Sequence, residues 1–216
     1  SRIAKEPEMP DFEIEDSLNC MVAGVDEAGR GPWAGPVVAG AVIIRDRNLG
    51  DELLKGLDDS KKLSAKKREL LYEKLREEEK NGRLFIGIGQ ASAEEIDRCN
   101  ILQATFAAMK RAVEVLKEKP EFAIIDGNQT PKDFPCRTRT VVKGDARCMS
   151  IAAASIAAKV YRDHLMRELA QKYPYYAFEK NAGYGTKAHI DGLKRHGVTP
   201  EHRKSYRPIQ EFLHSA

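Results

Sequence analysis

The sequence predicts an α/β domain on a sheet of mixed strand direction, flanked by helices. Three observations carry this. Two short apolar runs, Met21 to Val25 and Val37 to Ile44, flank a segment rich in Gly and Pro, which reads as two strands joined by a tight connection. A third run, Arg83 to Ala91, alternates Leu84, Ile86 and Ile88 around Phe85, Gly87 and Gly89. It lies close enough in sequence for all three strands to pair antiparallel. Finally, Phe122-Ala123-Ile124-Ile125 is continuously apolar, ends in Asp126-Gly127 and follows a helical segment. That is the pattern of a strand buried on both faces, reached by a crossover and parallel to its neighbour.

The remaining elements follow in order. Arg45 to Leu57 is polar and reads as a loop. Ser64 is the expected N-cap of a charged helix running to about Lys80, with Leu70, Leu71 and Leu75 on its apolar stripe. Ser92-Ala93-Glu94-Glu95 has capping-box spacing and opens a short helix. A longer helix is expected from about Ile101 to Glu118, stopped by Pro120, with Leu102, Phe106, Met109, Val113 and Leu116 on one face. Thr138 to Val142 reads as a fifth strand. An Ala-rich helix follows from about Ser150 to Ala170, and another from Lys187 to His196.

At 216 residues without a Ser/Gly/Pro-rich linker, one domain over residues 21–216 is expected, preceded by a poorly ordered acidic leader over residues 1–20. Composition is that of a soluble protein: 42% hydrophobic and 32% charged residues, with no run near the ~18 apolar residues of a membrane span. Cys20, Cys99, Cys136 and Cys148 form no C-x-x-C pair, which argues against a zinc site and a disulfide framework and for a cytoplasmic protein. Residues 180–207 carry seven Lys/Arg against two acids, whereas residues 1–17 carry six acids against two bases. The basic end is suited to facing phosphates.

Chemistry concentrates where strands end. Successive residues on a strand face opposite ways, so Asp26 and Glu27 can share a site only where that alternation breaks. Gly29 and Gly31 offer the break: without side chains they can take positive φ, admit a ligand to the backbone and present N–H groups to it. Asp126 ends the fourth strand at the same sheet edge, and Asp145 precedes the Ala-rich helix. Any one of these acids alone is more simply a cap or a surface charge. Together they form an all-oxygen set suited to Mg²⁺ or Mn²⁺, and a pair of such ions ~3.5–4 Å apart can clamp a phosphodiester. Tyr184, between Gly183 and Gly185 and near Lys187, is suited to stacking on a sugar or base. No H-E-x-x-H, Walker A or nucleophile-elbow spacing occurs.

These residues form an ordered set. Val25-Asp26-Glu27-Ala28-Gly29-Arg30-Gly31-Pro32 and Ala34-Gly35-Pro36-Val37-Val38-Ala39 are followed by Asp59-Ser60-Lys61, Asp126-Gly127 and Lys143-Gly144-Asp145. Ala153 to Asp163 and Gly183-Tyr184-Gly185-Thr186-Lys187 complete it. The set closely resembles that of the type 2 ribonucleases H, the bacterial ribonuclease HII group, from about Val22 to Pro208. Trp33 stands where that group usually has a smaller apolar residue. The resemblance implies a ribonuclease H-like fold: a five-stranded mixed sheet with flanking helices and a C-terminal helical part. It implies an endonuclease that cuts the RNA strand of RNA–DNA hybrids and cuts 5′ of single ribonucleotides embedded in duplex DNA. The ends would be 5′-phosphate and 3′-hydroxyl, in keeping with ribonucleotide excision repair. Asp26, Glu27, Asp126 and Asp145 match the group's metal-binding carboxylates, for Mg²⁺ or Mn²⁺. Gly29, Arg30 and Gly31 match its loop reading the ribose 2′-hydroxyl, Tyr184 a tyrosine packing on the following deoxyribose, and Lys61 a phosphate contact. A monomer is expected. The alternatives are another metal-dependent nuclease of the superfamily acting on DNA, against which the Gly-Arg-Gly loop and Tyr184 argue, and a non-enzymatic nucleic-acid-binding module.

Overall fold

Five strands, β1 (Val22–Ala28), β2 (Val37–Ile44), β3 (Leu84–Ala91), β4 (Phe122–Asp126) and β5 (Arg137–Val141), form one sheet ordered β3-β2-β1-β4-β5 in a computed structural model that describes residues 9–58 and 62–214. β1–β2 and β2–β3 are antiparallel, while β1–β4 and β4–β5 are parallel. The mixed sheet is therefore as expected. β1 runs on to Ala28 against β2, but its pairing with β4 stops at Val25 and Ile125. The open side of β1 beyond Val25, rather than the end of the strand, makes room for a site.

Two helices cover the sheet. Between β3 and β4 lie α4 (Ala93–Cys99) and α5 (Ile101–Glu114). Ala104, Ala108, Met109, Ala112 and Val113 of α5 pack on Ala23, Val25, Val37, Ala39 and Ala41 from one face. α6 (Met149–Lys172) covers the other. Its Ala152, Ala153, Ile156 and Val160 join Val42, Leu84 and Ile86, and Ile151 meets Val22 and Ile124. The small side chains on α6 permit a very close approach: a Cβ at Gly40 would stand 2.5 Å from the Ala154 carbonyl oxygen. β4 is buried on both faces, Ile125 towards α5 and Ile124 towards α6.

α3 (Ala65–Lys80) is capped by Ser64 Oγ, which accepts from the Lys67 N–H, and α4 by the reciprocal Ser92–Glu95 capping box. Two stretches differ from expectation. The polar segment after β2 contains α2 (Asp51–Asp58), which buries Leu53 and Leu57; an eight-residue helix with only two buried leucines leaves little periodicity to read. Within the stretch expected to be a leader, residues 9–20 pack on the domain and include α1 (Glu13–Leu18). Ile14 and Leu18, four residues apart on one face, join Val22, Cys148 and Ile151, and Asp16 pairs with Arg47. Surrounding acids hide that short apolar face. The Glu15 carboxylate caps α6, accepting from the Ser150 N–H at 3.2 Å and Oγ at 2.7 Å.

After α6 come α7 (Phe178–Asn181), α8 (Lys187–His196) and α9 (Arg207–Leu213), the C-terminal helical part. Ala34, Met166, Tyr176, Phe178, Leu193 and Ile209 join this part to the β1–β2 connection. Among the described residues, no helix is long and apolar enough to cross a membrane.

Candidate active site

Asp26 and Asp126 meet because β1 and β4 are parallel and in register. The last paired residues are Val25 and Ile125, so the next residue on each strand is an aspartate, at the carboxyl edge where ligands collect in sheets with such strands. Asp26 is 5% exposed, and its Oδ1 accepts from the Glu27 N–H at 2.8 Å. Asp126 Oδ1 accepts from the Gly144 N–H at 2.6 Å. That bond ties the 3-10 turn Gly144–Ala146, and with it Asp145, to the end of β4. The four acids singled out in the sequence thus gather at one edge.

Their electrostatics express the crowding. Burial pushes the Asp26 carboxyl well above the usual carboxylate range, and the charges of Glu27, Asp126 and Asp145 push the same way. Burial also raises Glu27, partly opposed by Arg30, whose Nη1 lies 3.7 Å from Glu27 Oε1. Glu27 Oε2 is buried with no hydrogen-bond partner among the described residues. A buried, unpartnered carboxylate oxygen beside other acids is costly unless a cation joins it. Among the described residues, no three acidic, imidazole or thiol groups close into a ready-made metal cage. Mg²⁺ needs none, because it keeps several waters and takes one or two carboxylates together with substrate phosphate oxygens. The all-oxygen set fits such an ion, and Asp26, Glu27, Asp126 and Asp145 are the residues that could hold it.

Next to the acids, the chain turns through Gly29-Arg30-Gly31. Gly29 has φ +91°, and a Cβ there would stand 2.0 Å from Arg162 Nε, so a side chain is excluded on both counts. Gly31 differs: its φ is not positive. Its bare Cα instead admits Tyr184, whose Cε1 lies 3.3 Å from where a Cβ would be. The Tyr184 ring is 52% exposed and borders the loop. Lys61 lies outside the described residues.

Two arginines that the sequence reading left without a role hold this loop from behind. Arg203, fully buried, donates from Nη2 to the Gly29 carbonyl at 2.5 Å, from Nη1 to the Arg30 carbonyl at 2.8 Å and from Nε to the Gly35 carbonyl at 3.0 Å. Tyr206 Oη donates to the same Arg30 carbonyl at 2.5 Å. Arg162 donates to the carbonyls of Pro36, Ala34 and Ala182 at 2.9, 3.0 and 2.7 Å. Among the described residues no peptide is cis, and a trans peptide sets its N–H opposite its C=O. Anchoring the Gly29 and Arg30 carbonyls therefore turns the N–H groups of Arg30 and Gly31 away from Arg203, on residues that are exposed. Arg203 stands in the basic stretch expected to face phosphates; its burial gives it another task. Arg162 on an Ala-rich helix was the available signal, since an arginine on a face of small residues has little room to reach solvent.

A family profile described as Ribonuclease HII matches residues 23–209. The ribonuclease HII of Paramagnetospirillum magneticum is 50% identical over 205 residues, 95% of this chain and 99% of its own length. That of Jannaschia sp. is 52% identical over 205 residues, 94% of this chain and 98% of its own. Among solved structures, the ribonuclease H2 of Pyrococcus horikoshii superposes with a TM-score of 0.72 at 28% identity, covering 90% of this chain and 97% of that one. Ribonuclease HII from a PCNA:RNase HII complex of Archaeoglobus fulgidus gives 0.70 at 27% identity, covering 87% and 95%. With a profile spanning most of the chain and relatives at half identity over nearly all of it, the chain belongs to the ribonuclease HII family and is a ribonuclease H, an endoribonuclease.

Proposed function

We propose that the enzyme hydrolyses the RNA strand of RNA–DNA hybrids and also cuts 5′ of single ribonucleotides embedded in duplex DNA, leaving 5′-phosphate and 3′-hydroxyl ends. The observation that carries the finer part is the contact of Tyr184 with Gly31, 3.3 Å from ring carbon to the site of a Cβ, beside the carboxylate edge. A loop whose N–H groups face outward can hydrogen-bond a ribose 2′-hydroxyl, the one sugar feature separating ribonucleotide from deoxyribonucleotide. The Tyr184 ring next to it packs on the following sugar, where an added hydroxyl would crowd it. Together they favour a junction from RNA to DNA.

Asp26, Glu27, Asp126 and Asp145 are the residues to hold two divalent ions, Mg²⁺ or Mn²⁺. When bound, such a pair supplies Lewis-acid stabilisation of the attacking and leaving oxygens of the phosphodiester. Asp26 and Asp126 sit on strands, and their hydrogen bonds to the Glu27 and Gly144 N–H groups hold the carboxylates in place beforehand. Arg203 and Arg162 keep the loop in register with those carboxylates. Exposed Lys187 and Lys194 supply sequence-independent affinity for phosphates. The enzyme works as a cytoplasmic monomer in removing ribonucleotides from DNA.

The test is cleavage of three duplexes in Mg²⁺ or Mn²⁺: one with a single ribonucleotide, one uniform RNA–DNA hybrid and one all-DNA. Cuts 5′ of the single ribonucleotide and within the hybrid, with the all-DNA duplex intact, are expected. An uncut single-ribonucleotide duplex would overturn the finer reading, and cleavage of all-DNA would favour a DNA nuclease instead.

A further inference from the structure

His189 and His202 are both fully buried, and their Nε2 atoms lie 2.9 Å apart. No motif spacing in the sequence marks either of them. Their hydrogen bonds can run in one direction only. The Thr199 N–H, which can only donate, points at His202 Nδ1 at 3.0 Å, so that nitrogen is bare. The proton of a neutral His202 is then on Nε2 and donates to His189 Nε2. His189 in turn carries its proton on Nδ1, 2.9 Å from the Tyr184 carbonyl oxygen, and donates there. Each nitrogen has one role, and the chain ends on Tyr184.

The surroundings keep both rings neutral. Phe178 meets His189 edge-on with centroids 5.3 Å apart, Tyr176 meets His202 at 5.0 Å, and Trp33 lies 5.7 Å from His189. Burial lowers His189 and takes His202 down to about 3. Trp33 also closes over Gly185, where a Cβ would meet the indole at 2.0 Å, and the Trp33 backbone N–H donates to the Gly183 carbonyl at 2.9 Å. The backbone carrying Tyr184 is thus held on both sides while its ring stays half exposed. The neighbour of His202 is Arg203, which holds the Gly29 and Arg30 carbonyls. One dipeptide therefore reaches both parts of the clamp: His202 to Tyr184 through His189, and Arg203 to the loop that Tyr184 borders.

We infer that the His202–His189 pair is a positioning relay that sets the Tyr184 ring against the Gly-Arg-Gly loop and so governs preference for a single embedded ribonucleotide over a continuous hybrid. The inference rests on the reading of Tyr184 given above. Its cost of failure is geometric, because a ring displaced by a fraction of an ångström no longer matches the sugar beside the scissile phosphate.

The experiment compares kcat/KM on the single-ribonucleotide duplex and on the uniform hybrid for wild type, His189→Phe, His189→Asn, Tyr184→Ala and the double variant His189→Phe/Tyr184→Ala. The ratio of the two rates is expected to fall about tenfold in His189→Phe, which has no donor for the Tyr184 carbonyl, and to be largely restored in His189→Asn, whose amide can donate from the Nδ1 position. Tyr184→Ala is expected to lower the ratio at least as far, with no further loss in the double variant, because both changes then remove one interaction. In wild type, ¹⁵N NMR of the imidazoles is expected to find His189 protonated at Nδ1 and His202 at Nε2, a readout that needs no variant to fold. The opposite tautomers would overturn the relay. A selective loss in Tyr184→Ala beside an unchanged ratio in His189→Phe would overturn the inference alone. No selective loss in Tyr184→Ala would overturn the reading of Tyr184 and this inference with it.

Discussion

The Tyr184 ring rests on Gly31, with Cε1 3.3 Å from where a Gly31 Cβ would stand. A methyl group there is not forbidden, since Gly31 lacks a positive φ, but the ring must give way by a few tenths of an ångström. Gly31→Ala is therefore expected to fold normally and to lower cleavage of both substrates, the single ribonucleotide more strongly. Gly29→Ala meets a guanidinium at 2.0 Å and a strained φ together, and is expected to lose several-fold more activity on both. Side-by-side kinetics decide this; equal effects of the two substitutions would contradict the geometry.

Asp126→Asn keeps an amide oxygen where Oδ1 accepts the Gly144 N–H, so the turn bearing Asp145 should stay in place. It removes the negative charge, and cleavage in Mg²⁺ is expected to fall by at least about a thousandfold while circular dichroism and hybrid affinity change little. Asp145→Asn, on a turn rather than a strand, is expected to be partly rescued by raised Mn²⁺. A metal titration indistinguishable from wild type would remove Asp145 from the ligand set.

Arg162 spans three carbonyls from two chain segments, and burial lowers its pKa to about 10 without neutralising it at pH 7. Arg162→Met leaves those carbonyls without their donor. A loss of roughly 3–5 kcal/mol in unfolding free energy is expected, read by urea denaturation. A loss below about 1 kcal/mol would show that water replaces the guanidinium.

Acid should loosen the protein through its two buried imidazoles. In the unfolded chain His202 binds a proton near its ordinary 6.5, in the folded chain only near about 3, and His189 is shifted the same way. Between those values the unfolded state binds more protons, so stability falls as pH drops below about 6.5. The raised carboxyls of Asp26 and Glu27 work in the opposite sense. The measurement is therefore a difference: His202→Gln, which does not titrate, is expected to flatten the stability slope between about pH 6.5 and 4.5 relative to wild type.

Lys187 is 91% exposed and pairs with Asp191 at 3.0 Å on the surface of α8, an interaction weak enough to yield to a phosphate. Replacing Lys187 and Lys194 with Ala is expected to reduce the slope of log affinity against log salt by nearly two. An unchanged slope would mean that neither touches the nucleic acid.

What the sequence disclosed and what it withheld follow from range. Asp26 and Asp126 were legible because each ends or interrupts an apolar strand run, and a strand reached by a crossover had to lie parallel to β1. Capping by Ser64 and Ser92 was legible because both partners sit within one turn. Arg162, Arg203, His189 and His202 were not: their partners are largely backbone groups and each other, so no spacing of residue types marks them. Arg203, which lacks the Ala-rich surroundings of Arg162, looks in sequence like any surface arginine. Arg203 was counted with the basic stretch for that reason, and α1 was hidden by its own acids.

The bonds from Arg203 to Gly29 and Arg30 join residues 174 and 173 apart. A ribosome adding roughly 5–20 residues per second takes some ten to thirty seconds to cover that distance. Throughout that interval the nascent chain has already made Asp26, Glu27 and, later, Asp126, yet the arginine that sets the loop beside them has not been synthesised. Contacts of such long range form late and slowly in folding as well. The acids are thus made first and the anchor of the adjoining loop last, so that a chain clipped before Arg203 is expected to carry its carboxylate edge beside a loop whose Gly29 and Arg30 carbonyls have lost their guanidinium donor.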